Sequence, residues 1–127
     1  MIHVYFAKAI LNYAFRGDDI YVGLVDDDGE EITGYDGDRK LVAFDEPDAV
    51  KGKQTVANTS LIDFDEMPAC EVAALRLFDA DDEGNALLDV PLIDAYGEPV
   101  VVPVLEGQTL RISTGMLTVD LTAEKEE

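Results

Sequence analysis

The chain is 127 residues long, 47% hydrophobic, and sets 28 Asp+Glu against 9 Lys+Arg for a net charge of −19. That length suits one domain able to bury roughly two thirds of its unfolded surface, and the apolar content argues against disorder in spite of the charge. The same composition disfavours DNA or anionic-membrane binding through the surface, which needs basic residues. With one cysteine, Cys70, and one histidine, His3, it also excludes an internal disulfide and multi-histidine zinc sites.

The first segment, MIHVYFAKAILNYAFRG, is apolar. It has almost no positive charge at its start and no A-x-A cleavage site, so it does not read as a signal peptide, and it is too short to span a bilayer. Its spacing predicts a helix over 2–15, with Ile2, Phe6, Ile10 and Tyr13 on one face and Arg16 then Gly17 as the stop. The other face carries Val4, Leu11 and Phe15. A helix apolar nearly all round is either buried deeply or covered by another subunit. Ile2, Phe6, Ile10 and Tyr13 are therefore candidate interface residues.

From residue 20 onward the texture changes to short runs of Val, Ile, Leu and Phe broken by Gly, Asp, Asn and Pro. This predicts strands over 20–25, 30–33, 40–45, 54–59, 60–65, 72–79, 86–91, 100–105, 109–114 and 117–122. LRISTGMLTVDL alternates on both sides of Gly115, as expected of strands with one buried and one wet face. The prolines sit at strand ends or between runs, where a missing N–H does least harm. The expected architecture is a mainly β single domain over 1–127: one N-terminal α-helix, an antiparallel β-sandwich, jelly-roll-like, over 20–122, and a charged tail over 123–127.

Two acidic clusters have partial likeness to metal-binding loops. DADDEGNALLDV places Asp79, Asp81, Glu83 and Gly84 at positions 1, 3, 5 and 6 of an EF-hand-like loop, but Val90 stands where a bidentate glutamate is needed, and the flanks read as strands. Asp79, Asp81 and Glu83 thus make at best a weak surface cation loop, and a plain hairpin turn is the favoured reading. In LVDDDGEEIT the fit fails sooner, and Asp26, Asp27, Asp28 and Gly29 read as a tight turn between strands. No cofactor is expected beyond weakly bound surface cations. No G-x-S-x-G, P-loop or G-x-G-x-x-G occurs, and carboxylate pairs are too abundant to mark a catalytic site, so no enzymatic activity is expected.

Complete pairing of the basic residues would still leave 19 carboxylates to be solvated or to bind cations. Spread over the folded area, this is about one net charge per 350 Å², a surface that repels itself except where salt at about 1 M shortens the screening length to roughly 3 Å. Adaptation to a salty environment is the favoured explanation. The competing one is an acidic inhibitor that imitates DNA, with carboxylates aligned on one face and binding that collapses with salt.

The order of punctuation resembles a family of small β-rich virion proteins of tailed viruses, known as tail-fibre, head-fibre or minor structural proteins. The matching pieces are YVGLV from Tyr21, EITG from Glu31, Arg39, VAF from Val42, Asn58, FDEMP from Phe64, LFDA from Leu77, GNALL from Gly84 and GQTLRISTGMLTVDL from Gly107. They cover nearly the whole chain, and they are turns and core residues rather than chemistry. The tryptophan often found in the family before the strand around Val72 is replaced by Ala69 and Cys70, and the segment from Gly34 to Arg39 is far more acidic.

The resemblance implies a non-enzymatic structural component of a tailed-virus particle, made in the host cytoplasm and located in the virion as capsid turret or decoration, neck, tail fibre or baseplate. The acidity implies a halophilic host, archaeal in the simplest case. The implied partners are further copies of the chain, as a trimer, pentamer or hexamer, and other capsid, neck or tail proteins; neither nucleic acid nor membrane insertion is implied. Attachment to a host receptor or glycan would follow if the loops over 26–38 and 79–85 face outward.

Overall fold

The structure, a computed structural model, describes residues 3–37, 39–50 and 53–122. Among the described residues it is mainly β, with the helix α1 (Val4–Arg16) followed by twelve strands. In order these are β1 (Ile20–Val25), β2 (Glu31–Ile32), β3 (Lys40–Val42), β4 (Asp48–Val50), β5 (Lys53–Ala57), β6 (Ile62–Phe64), β7 (Cys70–Val72), β8 (Ala74–Phe78), β9 (Ala86–Pro91), β10 (Val102–Val104), β11 (Leu110–Ile112) and β12 (Thr118–Thr122).

The second half of the chain folds as one long hairpin, repeatedly broken. β8 pairs with β9, β7 with β10, β6 with β11 and β5 with β12, every ladder antiparallel and nested inside the next. Such a rolled-up hairpin is the jelly-roll way of closing a two-layered β structure. The first half joins it at both ends. β1 lies between β8 on one side and β2 and β3 on the other, and β4 extends the β5–β12 pair.

The helix packs against β5 and β12. It buries Ala7, Leu11 and Phe15, four residues apart on one stripe, and the Phe15 ring meets Phe44 edge-on with centroids 5.5 Å apart. Leu11 and Phe15 join a single core with Ile20, Val22 and Leu24 of β1, Leu75 and Leu77 of β8, and Phe64 and Leu117 beyond.

β1 buries both faces. Ile20, Val22 and Leu24 point to the core, while on the other face Gly23 lies beneath Glu31, Arg39 and Phe78. A central strand covered on both sides reads as the near-continuous apolar run seen here, without alternation.

Several expectations shift. The helix spans Val4–Arg16 among the described residues rather than 2–15, because Arg16 still helps end it, donating through Nη1 to Asn12 Oδ1 at 2.7 Å. The single predicted strand over 72–79 is two: β7 ends at Val72, and Ala73 passes the chain to β8, its N–H donating to the Val25 carbonyl at 2.8 Å and its own carbonyl accepting from Leu92 at 3.0 Å. β7 and β8 have different partners, which no local pattern reports. β4 was not anticipated, since DAV has no alternation of its own and gains its strand form by pairing with β5. Ile2, Asp38 and the tail over 123–127 lie outside the described residues.

Candidate functional site

The apolar stripe beside the buried one is largely exposed. Phe6 and Tyr13 are 58% and 82% exposed, Tyr5 is 76% exposed, and Ile10 is half-buried. Phe6, Ala9, Ile10, Tyr13 and Ala14 line a shallow apolar depression along the helix. The sequence candidates Phe6, Ile10 and Tyr13 therefore come together on one outward face. The core claims Ala7, Leu11 and Phe15 instead because these follow the line of contact with β5 and β12.

Beyond Tyr13 the depression runs into an open groove of about 740 Å³ between the helix end, the start of β1 and the β8–β9 turn. Tyr13, Tyr21, Leu87 and Leu88 supply apolar and aromatic surface. Asp18, Asp19, Asp79 and Asp81 stand around it, and no Lys or Arg among the described residues lines it.

The wall formed by the β8–β9 turn is held by a clamp centred on Arg39. Its Nε and Nη2 each donate to a Glu31 carboxylate oxygen at 2.8 Å, and its Nη1 donates to the carbonyls of Ala80 at 3.0 Å and Glu83 at 2.7 Å. The guanidinium lies 3.4 Å from the Phe78 ring centroid. The hydrogen bonds to Glu31 raise the Arg39 pKa further, so the cation is permanent. A Cβ on Gly23 would meet Glu31 Oε2 at 2.9 Å and a Phe78 ring carbon at 3.0 Å, which is why the strand carries glycine beneath the clamp.

The turn also ties itself. Asp79 Oδ1 accepts from the Asn85 backbone N–H at 2.7 Å and Oδ2 from the Asn85 amide at 2.9 Å. The Asn85 backbone bond, reinforced by its side chain, holds the Asp79 carboxyl below the ordinary carboxylate range. Gly84, at φ +71, takes the left-handed conformation that lets the chain reverse.

Among the described residues, the trio of carboxylates whose oxygens lie within 4.8 Å of one another is Asp26, Asp27 and Asp28, not Asp79, Asp81 and Glu83. Asp79 is engaged by Asn85. Asp26 also turns inward, Oδ1 accepting from Asp28 N at 2.9 Å and Glu30 N at 3.0 Å, which makes it a turn former first.

The loops named for receptor contact divide. The turn after β1 leaves the end of the β1–β8 ladder where Val25 faces Ala74, whereas the turn after β8 leaves the end where Tyr21 faces Phe78. Only the part of the first loop near Arg39 shares an end with 79–85, lining a small recess with Asp81 and Asp82.

Elsewhere the perturbed carboxyls belong to strand pairing. Arg76 and Arg111 hold Asp89 and Asp63 below the ordinary range through bidentate bonds across the β8–β9 and β11–β6 ladders. Burial pushes the Cys70 thiol up, which keeps it protonated and poorly nucleophilic. No described helix is long and apolar enough to cross a membrane.

Sequence comparison adds one finding. Residues 1–120 match the protein-family model described as Podophage GP4 fiber I protein gp80. No curated protein sequence matches the chain.

Proposed function

Because the chain belongs to this podophage fibre family, it is a virion fibre protein, and we propose that it is a non-catalytic building part that assembles with copies of itself through the outer face of α1. The observation that carries this reading is the stripe of exposed Phe6 and Tyr13 with half-buried Ile10, on a helix whose Ala7, Leu11 and Phe15 already close the core. An exposed aromatic stripe beside an apolar depression is the kind of surface that association covers.

The non-catalytic part is supported by where the perturbed groups lie. Asp63 and Asp89 are tied to arginines across ladders and Asp79 to the backbone of its own turn, rather than facing one another across a cleft. The acidic surface fits a salty environment. With 7890 Å² of accessible surface and a net charge of −19, each unit of net charge has roughly 400 Å². Exposed carboxylates occur in the connections at both ends of the strands, among them Asp18, Asp28, Glu46, Asp65, Glu83, Asp94 and Glu106, rather than in one row. This supports a solvated shell over a DNA-like charge ladder. Attachment to a host surface would use the end where 79–85 and the Arg39 segment meet.

The test is native mass spectrometry and analytical ultracentrifugation of the chain and of a Phe6→Asp, Tyr13→Asp variant at several salt concentrations. The wild type is expected to form a closed oligomer, favoured as salt screens the charge, and the variant to be a folded monomer. A wild type that stays monomeric up to about 1 M salt, or a variant with unchanged stoichiometry, overturns self-assembly through the helix. Absence of the protein from purified particles overturns its place in the virion.

A further inference from the structure

We propose that the groove between the end of α1, the start of β1 and the β8–β9 turn docks a basic, apolar segment of a polypeptide other than this chain. The groove offers two tyrosines and two leucines as its floor and walls, with four aspartates around it. Among the described residues, Asp18, Asp19 and Asp81 have neither a hydrogen bond nor an ion pair. Asp79 is held ionised by Asn85.

That combination selects its occupant. Covering the apolar floor with a neutral group would take the three unpaired carboxylates partly out of water, and burying an unpaired charge is costly. An occupant that carries its own cations avoids this cost. The aliphatic stem of lysine or arginine lies over a tyrosine face while its charged end meets an aspartate, and neighbouring apolar side chains fill the leucine floor.

A second copy is poorly suited to the role. It has only 9 Lys+Arg against 28 Asp+Glu, and its cations are largely engaged. Arg39, Arg76 and Arg111 are bound bidentately to Glu31, Asp89 and Asp63, Lys53 lies 3.6 Å from Asp120, and Lys40 donates to the Asp36 carbonyl. Two such surfaces would bring aspartate against aspartate.

The Arg39 clamp bears directly on this site, because it fixes Ala80 and Glu83 and with them the wall that carries Asp79 and Asp81. A wall set in advance lowers the ordering cost of binding.

The inference is independent of self-assembly. Tyr13 borders both surfaces, but a monomeric chain still presents the groove, and failure to bind a basic segment leaves the helix contact untouched.

The test uses three short synthetic peptides of equal length, alternating lysine with leucine, lysine with serine, and glutamate with leucine. Each is titrated into the full chain at about 0.15 M salt, where long-range attraction is screened beyond roughly 8 Å, and followed by amide chemical shifts and calorimetry. The lysine–leucine peptide is expected to move the resonances of Tyr13, Tyr21, Leu87 and Leu88 and to bind at least about tenfold more tightly than the lysine–serine peptide, while the glutamate–leucine peptide does not bind. A variant combining Asp18→Asn, Asp19→Asn and Asp81→Asn should lose about tenfold in affinity. The same charge change made at Asp27→Asn, Asp28→Asn and Glu30→Gln should leave affinity nearly unchanged.

Equal binding of the two lysine peptides, equal loss in the two triple variants, or shift changes scattered over the surface would reduce the effect to general charge attraction and overturn the proposal. So would shifts at the groove that follow protein concentration instead of peptide, which assign it to a second copy. A neutral oligosaccharide such as maltotriose moving the same resonances while the lysine–leucine peptide does not would likewise overturn it. Tyr13→Ser, at a position 82% exposed, gives a variant whose folding is not at stake and should also weaken the peptide.

Discussion

Replacing Arg39 by methionine keeps the aliphatic stem over Gly23 and deletes the charge and every donor. The pair it breaks is largely buried, with side-chain exposures of 10% for Arg39 and 24% for Glu31. Breaking a fully buried pair costs about 3–5 kcal/mol; because Glu31 can turn partly to water, this falls to about 1–2 kcal/mol. The carbonyls of Ala80 and Glu83 lose their donor at about 0.5 kcal/mol each, near the lower limit because both regain water. Loss of the cation from the Phe78 face adds about 0.5–1 kcal/mol. The expected destabilisation is about 3 kcal/mol, read from urea unfolding followed by circular dichroism. Glu31→Gln combined with Arg39→Met should show a coupling of about 1–2 kcal/mol in a double-mutant cycle. Amides of 79–85 should also exchange faster in Arg39→Met than those of the β5–β12 ladder. A loss below about 1 kcal/mol, or additivity within about 0.5 kcal/mol, would refute the view that this ion pair holds the turn.

Gly23→Ala should cost about 1–3 kcal/mol, because the added methyl meets a carboxylate and a ring that the clamp prevents from retreating; unfolding of the Gly23→Ala, Arg39→Met double variant should show part of that cost relieved. Asn58 is buried, with Oδ1 accepting from Leu117 N at 2.9 Å and Nδ2 donating to the carbonyls of Ser60 at 2.8 Å and Ser113 at 3.2 Å. Asn58→Ala strands these backbone groups and should lower stability by about 2–3 kcal/mol in the same assay. The carboxyls of Asp63, Asp79 and Asp89 lie below their ordinary value of 3.8 when folded. Their stabilisation is therefore complete above the unfolded value and is lost as pH falls through the folded ones. The urea midpoint should thus drop below about pH 4, with a shallower drop in Asp89→Asn. Gln54 Oε1 is buried without a hydrogen-bond partner, so Gln54→Met should leave the midpoint unchanged or raise it, by up to about 1 kcal/mol of stability.

The parts of this fold legible in the sequence are those that local pattern dictates. The run Ile20–Val25 and the run Ala86–Pro91 are strands with the predicted limits, and the Asp26–Gly29 turn forms as the acidic-Gly motif implies, with Gly29 N donating to the Asp26 carbonyl at 3.1 Å. The helix was legible as a helix, but which stripe it buries was not, since both stripes are apolar and the choice is made by β5 and β12. The change of partner at Ala73 was likewise invisible, because it depends on strands far away along the chain. For the clamp, Gly23, Glu31, Arg39 and the LFDA segment all belong to the turn and core motifs of the sequence, yet nothing local reports that they meet. The available signal was a lone arginine in a strongly acidic stretch facing a glycine in an otherwise bulky strand. The groove gave no sequence signal at all, for its walls come from the helix end, β1 and β9 and meet only in three dimensions.

The nesting of the ladders has a kinetic meaning. Of the four nested pairs, β8 and β9 alone are joined by a short connection, so the β7–β10, β6–β11 and β5–β12 pairs must each close a wider loop, an entropic cost that shrinks sharply once the pair inside it has formed. Folding should then zip from the tip around 79–85 toward the chain ends, completing last the β5–β12 seat on which the helix lies. A chain caught part-way would have no fixed platform for its sticky helix, and particle assembly would be reserved for molecules that had finished closing.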